Sequence, residues 1–498
     1  MSHIAFTDEG VVDEVDHVVV GSGAGGANAA LVLARAGRSV ALVETGAWRD
    51  PHDYPKSAWG GMRDLMPRTG ASMLVGRAAW PIVQGEAVGG STVINSAIRV
   101  RPPSDVFANW SRQFGLPGER LEREVADALD AVDAELGWEE TPDAALGRHN
   151  ELALRGAGAL GYASHRTDRY TRGCSGCGNC LNGCRDDAKR SLQRNLIPEV
   201  LARGGRVLSC APADRVLFEG QRAVGVSGHF RHPADRRRGG AWRLRARRGV
   251  VVAASVTGTA PLLHRSGYRH PALGAGFRSH PGTGVHGWYD EVVDMGRGAT
   301  QGWSSMAFRD EPGFKLESLS LPPELVIGRL AGGGRTLVQR MDDIRHLAMW
   351  VLAVRAESVG RVSTWLGQGV VHYDLNAADM VRLRTGMTTL ARTHFAAGAR
   401  WVVPGIAGLP YRIAPDEIGL MENAPLDPRA YVVILSHLFG GATMGSDPAT
   451  SVCDARGAVR GAQGLWVADA SLIPNVLGVN PQATIMGLAR VVGAAAAA

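Results

Sequence analysis

The chain alternates short apolar runs with polar or glycine-rich breaks, and the spacing of those runs predicts its elements. In DHVVVGSGAGGANAALVLARAGRSVALVETG (16–46), the apolar run His17–Val20 reads as a buried strand. A glycine-rich turn follows, then an Ala/Leu-rich helix over Gly25–Ala36 and a second apolar strand, Ser39–Glu44, completing a βαβ unit. LRARRGVVVAASVTGTAPLLHRSG (243–266) reads as a charged lead-in, a buried strand and a helix, and GLWVADASLIP (464–474) supplies a third strand-type run. Strands so far apart in the chain fit one parallel sheet assembled from separated stretches. Between them, 284–432 reads as strand-rich and carries Trp288, Trp303, Trp350, Trp365 and Trp401, while MVRLRTGMTTLARTHFAAGA (380–399) has helical period and ends near Gly398. The terminal alanines read as a frayed helix end. There is no internal repeat and no low-complexity linker.

Composition narrows the class. A length of 498 residues calls for two or more intertwined domains. With 45% hydrophobic and 20% charged residues, the chain is neither disordered, collagenous nor a coiled coil. The 65 glycines point to many tight turns. The net charge is +6, and nearly all basic residues are Arg; Lys occurs only at Lys56, Lys189 and Lys315. The basic stretch RHPADRRRGG (231–240) is short and reads as a solvated turn, so nucleic acid is not an expected partner. No apolar run approaches the roughly 18 residues of a membrane span. The opening MSHIAFTDEGVVDEVD is acidic and lacks a secretory apolar region, so a cytoplasmic protein with reduced cysteines is expected.

Gly21, Gly23 and Gly26 form GxGxxG, with Ala24 inside it. The first glycine permits the sharp turn, the second lets a pyrophosphate approach the backbone, and the third packs helix on strand. The helix N-terminus then offers unpaired N–H groups to the phosphates. Glu44 ends the second strand, where a carboxylate accepts ribose hydroxyls and would repel a 2′-phosphate. This unit calls for a dinucleotide without separating NAD from FAD.

Four of the six cysteines lie in RGCSGCGNCLNGCRDDAKRS (172–191): Cys174, Cys177, Cys180 and Cys184. The spacing C-x₂-C-x₂-C-x₃-C is that of bacterial iron–sulfur ferredoxins. Structural zinc prefers two ligand pairs separated by a longer loop, and disulfides do not suit a reducing compartment. An iron–sulfur cluster is therefore the expected occupant. Arg185 stands where a proline usually follows the fourth cysteine. Cys210 and Cys453 are isolated and read as small buried hydrophobes.

Three further segments carry a family resemblance. VQGEAVGGSTVINSAIRVRPP (83–103) resembles the second signature of the glucose–methanol–choline (GMC) oxidoreductases. SHLFGGATMGSD (436–447) and GLWVADASLIPNVLGVNPQATIMGLA (464–489) resemble that family's histidine segment and its C-terminal flavin segment, and ESVGRVS (357–363) resembles a strand of its substrate domain. The resemblance implies FAD and an α/β (α+β overall) fold, in which a discontinuous Rossmann-like FAD-binding domain joins an antiparallel-sheet substrate domain. The expected division is 12–104, 199–283 and 433–498 for the FAD domain, 105–198 for an inserted segment with the cysteine loop, and 284–432 for the substrate domain. It implies that Gly89, Gly90, Ser91 and Asn95 lie along the flavin, and that Asp469 and Ala470 lie near its ribityl and phosphate region. Asn480, Pro481 and Gln482 start the last helix, with Asn480 as cap and Pro481 at the first position, aiming its positive end at the flavin. Bacterial GMC dehydrogenases with a related cysteine segment carry [3Fe–4S], which is slightly favoured here over [4Fe–4S].

The family's catalytic pair maps onto His437 and Asn480. A lone histidine is more often a satisfied core group, but alcohol oxidation needs a proton acceptor of imidazole type beside a second hydrogen-bonder that fixes the oxygen. Asn480 cannot be the base, so His437 is. The expectation is an FAD-dependent dehydrogenase acting on an alicyclic, steroid-like or sugar alcohol, with electrons leaving through the cluster to a ferredoxin, cytochrome or quinone-linked carrier. The rivals are an H₂O₂-forming oxidase with a vestigial cysteine loop, a redox-silent lyase or isomerase on the same fold, and an iron–sulfur sensor or electron-transfer subunit without its own substrate. Arg329, Arg335 and Arg340 are expected in solvent.

Overall fold

The computed structural model describes residues 2–498. Two sheets organise it. The first has eight strands in the order Ser2–Ile4, Arg206–Leu208, Val40–Val43, Val11–Val20, Arg238–Val252, Arg222–Arg231 and Ala213–Glu219, with Leu465–Val467 also on Arg238–Val252. The pairs from Ser2–Ile4 through Arg238–Val252, and the pair with Leu465–Val467, are parallel. This half is covered by the helices Ala24–Arg35, Leu192–Ala202 and Gln482–Ala497. All three widely separated apolar runs thus join one sheet. Its central strands are buried on both faces, which is why they read as unbroken valine-rich runs rather than alternating ones.

The charged lead-in 243–248 is itself strand. Arg238–Val252 runs 15 residues. Over Trp242–Ala246 buried Trp, Leu and Ala alternate with exposed arginines, so one face is solvated, and this part pairs antiparallel with Arg222–Arg231. At Val250–Val252 the strand dives between parallel neighbours and becomes wholly apolar. Likewise Val11–Val20 is longer than its apolar end. The stretch 232–237 is the turn of the hairpin joining Arg222–Arg231 to Arg238–Val252.

The second sheet has nine strands and is antiparallel throughout. Ala275–Trp288 is its central strand, pairing with Leu347–Val354, Gly360–Trp365, Trp401–Val403 and Ile434–Phe439. Phe314–Ser318 follows Leu347–Val354, and His165–Arg166 reaches this sheet at its edge. The helix Ala377–Ala396 lies against it, capped by the Asn376 side chain on the Asp379 N–H. Trp303 and Trp350 are core residues, while Trp288 and Trp401 stack on each other. Arg329 departs from expectation: it is half-buried and donates to Gly284 O at 3.2 Å.

The terminal alanines are not frayed. Gln482–Ala497 is helical, with Ala496 and Ala497 buried. Ala496 O meets His17 Nε2 at 3.1 Å, and Ala497 O accepts two bonds from Arg38. Among the described residues, no helix is long and apolar enough to cross a membrane.

Candidate active site

The glycine turn follows the strand Val11–Val20 and opens the helix Ala24–Arg35. A Cβ at Gly26 would lie 1.8 Å from Gly21 O, and one at Gly90 would lie 2.6 Å from Gly23 Cα, so only glycine lets these backbones meet. At Gly23 a Cβ would meet nothing nearer than Gly90 Cα at 3.7 Å. The protein leaves that position open, as a cradle for a pyrophosphate requires. Glu44 is buried, and its carboxylate accepts the Ser22 N–H (2.9 Å), the Ser22 hydroxyl (2.6 Å) and the Gly46 N–H (2.9 Å). Three of its roughly four acceptor positions are filled, leaving one for a ribose hydroxyl. Burial raises its pKa against these donors. The Ser22 hydroxyl also accepts the Gly89 N–H at 3.0 Å, tying the turn to the Gly89–Asn95 segment. Within that segment, Ser91 Oγ accepts the Gly85 N–H, and Asn95 bonds Gln482 through its amide.

Asp469 sits in the turn between the strand Leu465–Val467 and the last helix. Its oxygens accept from the Ser255 N–H (2.8 Å), the Thr259 hydroxyl (2.6 Å), the Ser471 N–H (2.7 Å) and the Ser471 hydroxyl. All of its acceptor positions are therefore used by the protein. Its side chain shapes the turn beside Ala470.

His437 and Asn480 are linked through Lys315, which bonds Asn480 and whose charge acts on His437. His437 lies on Ile434–Phe439, in register with His280 on the central antiparallel strand. Their Nδ1 atoms are 3.3 Å apart, and the Gly478 N–H donates to His280 Nε2 at 2.9 Å. Crowding around the half-buried His437 pushes its pKa down to about 4; Glu317 opposes this and Lys315 adds to it. Asn480 does not cap the last helix. That helix begins at Gln482 with Pro481 as its cap residue, and the Asn480 amide instead accepts from Lys315 Nζ at 2.5 Å. Lys315 Nζ also donates to Glu317 Oε1 at 2.7 Å, and Gln301 Nε2 to Glu317 Oε2 at 3.1 Å. Lys315 and Glu317 are 2% and 4% exposed. Burial alone would raise the Glu317 pKa, but the Lys315 ammonium outweighs it and the pKa is lowered.

The four cysteines of 172–191 line one small cavity, together with Arg169, Thr171, Lys189 and Thr300. Its neck is closed by Arg172 N–H to Ala188 O and Arg190 N–H to Tyr170 O, both 2.9 Å. Gly173, Gly176, Gly178 and Gly183 all take positive φ, which lets the loop curl so tightly. Cys180 is buried, Cys174 and Cys184 are half-buried and Cys177 is exposed; all are free thiols. Arg169 donates toward Cys174 Sγ (3.4 Å) and Cys180 Sγ (3.2 Å). Lys189 Nζ donates to Cys180 O, Asn95 O (both 2.8 Å) and Val93 O. Burial would raise the Cys180 pKa, but these two cations lower it. Among the described residues, no group of three or more His, Cys, Asp or Glu side chains is arranged around a single metal ion.

Residues 62–282 and 367–489 match two GMC oxidoreductase family profiles, and residues 16–50 match an FAD binding domain profile. An uncharacterised GMC-type oxidoreductase of Mycobacterium tuberculosis is 35% identical over 494 residues, covering 98% of this chain and 76% of that protein. The chain belongs to the GMC oxidoreductase family. A second uncharacterised GMC-type oxidoreductase, from Sinorhizobium fredii, is 32% identical over 96% of this chain and 93% of its own. A long-chain-alcohol oxidase of Arabidopsis thaliana is 27% identical over 98% of this chain and 68% of its own. The fold is also that of pyridoxine 4-oxidase from Mesorbium loti, with TM-score 0.69 at 18% identity over 96% of this chain and 98% of that one. It is likewise that of a formate oxidase of Aspergillus oryzae, with TM-score 0.72 at 16% identity over 99% of each chain.

As a GMC oxidoreductase the chain uses FAD, and the open position at Gly23, the spare acceptor on Glu44 and the Gly89–Asn95 segment fit that dinucleotide. Sequence reasoning missed Ser22, His280, Lys315, Glu317, Arg169 and Lys189. For the lysines a signal existed: two of the three in the chain are buried, and both sit at candidate sites.

Proposed function

We propose that this GMC oxidoreductase is a dehydrogenase that oxidises an alcohol carbon and passes the electrons to an external carrier through an iron–sulfur cluster held by Cys174, Cys177, Cys180 and Cys184, three of them for [3Fe–4S] or all four for [4Fe–4S]. In this reading His437 accepts the hydroxyl proton and Asn480 holds the substrate oxygen. Burial keeps His437 neutral at physiological pH, as a proton acceptor must be. FAD supplies the hydride acceptor and the cluster supplies one-electron transfer.

The observation that carries the cluster reading is the charge of the cysteine cavity. Arg169 and Lys189 are 0% and 2% exposed, and the bonds they make among the described residues go to backbone carbonyls and cysteine sulfurs rather than carboxylates, burial pushing the Lys189 pKa down and the cysteines pushing it up. Two buried cations without anions would cost several kcal/mol each. Thiolates bound to a cluster supply the missing negative charge. Exposed Cys177 offers an exit toward a ferredoxin, cytochrome or quinone-linked carrier.

The test is iron and acid-labile sulfide analysis after anaerobic reconstitution, followed by dye reduction with alcohol and sugar panels. Three or four irons per chain and dye reduction by an alcohol are expected, [3Fe–4S] being slightly favoured. Absence of iron, with fast flavin reoxidation in air, would favour the second reading. That reading is an alcohol oxidase, supported by the likeness to a long-chain-alcohol oxidase, which adds fatty alcohols to the alicyclic alcohols and sugars worth screening.

A further inference from the structure

Lys315 and Glu317 form a buried ion pair on Phe314–Ser318, a strand of the antiparallel sheet, and the pair reaches across to Asn480 on the nucleotide-binding side. A buried pair of this kind is weak evidence for stability, because desolvation consumes most of its attraction. What it does provide is direction. An ammonium has three donors and no acceptor, so it can meet only the oxygen end of the Asn480 amide. The NH₂ end is thereby turned away from Lys315.

The geometry points to Lys315 as the positioning residue that fixes the Asn480 amide, so that its N–H rather than its carbonyl is offered to the substrate oxygen. Glu317 anchors the ammonium and accepts from the Asn480 NH₂, and Gln301 holds the other carboxylate oxygen, so one N–H of the amide is fixed by the protein and the second is the one left to offer. The choice of lysine fits this task. Nearly all other basic residues of the chain are Arg, yet here one nitrogen must reach Glu317 and Asn480 together. A compact ammonium can do so, whereas a planar guanidinium spreads its donors over a fork. An oxygen that is losing its proton needs a donor beside it, and an amide free to rotate would present its carbonyl part of the time. The inference rests on the reading of His437 and Asn480 as the reaction centre.

The test uses the full chain with FAD bound. Lys315→Met combined with Glu317→Gln removes both charges, so that no buried carboxylate is left alone; Lys315→Arg keeps the charge with the wrong shape. Hydride transfer from an alcohol, followed anaerobically by flavin bleaching, should slow about ten- to a hundredfold in both, with KM little changed. In an Asn480→Ala background the same substitutions should cost nothing further, because nothing is left to orient. Equal losses in both backgrounds would overturn the proposal, since Lys315 would then act through the fold. Crystal structures of parent and double variant give a readout that needs no turnover. The Asn480 amide should rotate or split into two orientations in the variant, and an unmoved amide also overturns the positioning role. If the parent itself is not bleached by any alcohol, the proposed reaction fails, while the amide orientation still decides the role of Lys315.

Discussion

The Ser22 hydroxyl donates to Glu44 Oε2 at 2.6 Å while accepting the Gly89 N–H at 3.0 Å, so one side chain joins three parts of the nucleotide cradle. Ser22→Ala should leave a buried carboxylate and a buried N–H each short of a partner. A loss of about 1–3 kcal/mol is expected, read as FAD affinity weakened about tenfold or more in an equilibrium dialysis series. Unchanged FAD affinity would mean that the cradle does not depend on this link.

Gly23 and Gly26 separate ligand binding from folding. Gly23→Ala adds a methyl whose nearest protein neighbour is 3.7 Å away, so the protein should fold with its far-UV spectrum intact and yet bind FAD poorly. Gly26→Ala drives a methyl to 1.8 Å from Gly21 O, and should yield little soluble protein. If Gly23→Ala retains FAD as the parent does, the pyrophosphate does not approach there.

Only neutral His437 can take a proton, and its pKa is held at about 4. The acid limb of kcat/KM should therefore lie near pH 4, well below the value of about 6.5 of an unperturbed imidazole. His437→Ala should lower kcat/KM by about 10²–10⁴ with the flavin retained. An acid limb centred near 6.5 would contradict the depressed value.

Acid unfolding should begin in the same region for separate reasons. Glu199 is held at about 2 by its bond to Arg35, opposed by burial and helped by Arg203. Asp16 is also held at about 2: burial would raise it, but the Ser39 N–H and Arg247 outweigh that. A depressed carboxylate contributes stability above its unfolded pKa and loses it as pH falls through the folded one. Melting temperature should thus drop between about pH 4.5 and pH 2, and drop less in Glu199→Gln. Activity below pH 5 must accordingly be read beside a fold control such as FAD retention.

Arg169→Met should strip the cysteine cavity of the cation that faces Cys174 and Cys180. Iron and sulfide content should fall to less than half of the parental value while FAD stays bound, because the cradle at Gly21–Gly26 does not use this residue. Full iron retention would show that the guanidinium does not hold the cluster's charge.

The sheet strands and the glycine turn were legible because each is fixed by local chemistry: an apolar run, a φ that needs glycine. The solvated half of Arg238–Val252 was harder, because its exposed arginines hide a period of two beside a run buried on both faces. Asn480 followed by proline has the local signature of a cap, but Lys315, 165 positions away, takes its side chain. Likewise Asp469 carries the charge of a cofactor ligand, yet Ser255, Thr259 and Ser471 use up its oxygens. Such long-range competition leaves no trace in local spacing. His280, Lys315 and Glu317 are distant in the chain from His437 and Asn480, whereas Ser22 and Lys189 lie inside the motifs they serve.

Lys189 couples the histories of two parts of the molecule. Its ammonium is satisfied at once by the carbonyl of Cys180 in the loop and by the carbonyls of Val93 and Asn95 beside the flavin cradle. Trimming the cysteine loop would strand a charge beneath the cradle, and replacing the lysine alone would leave three inward carbonyls without a donor. The loop and its lysine therefore form one heritable unit, to be acquired or discarded together, because a descendant that lost either would have to re-pair the carbonyls of Val93 and Asn95 in the same step.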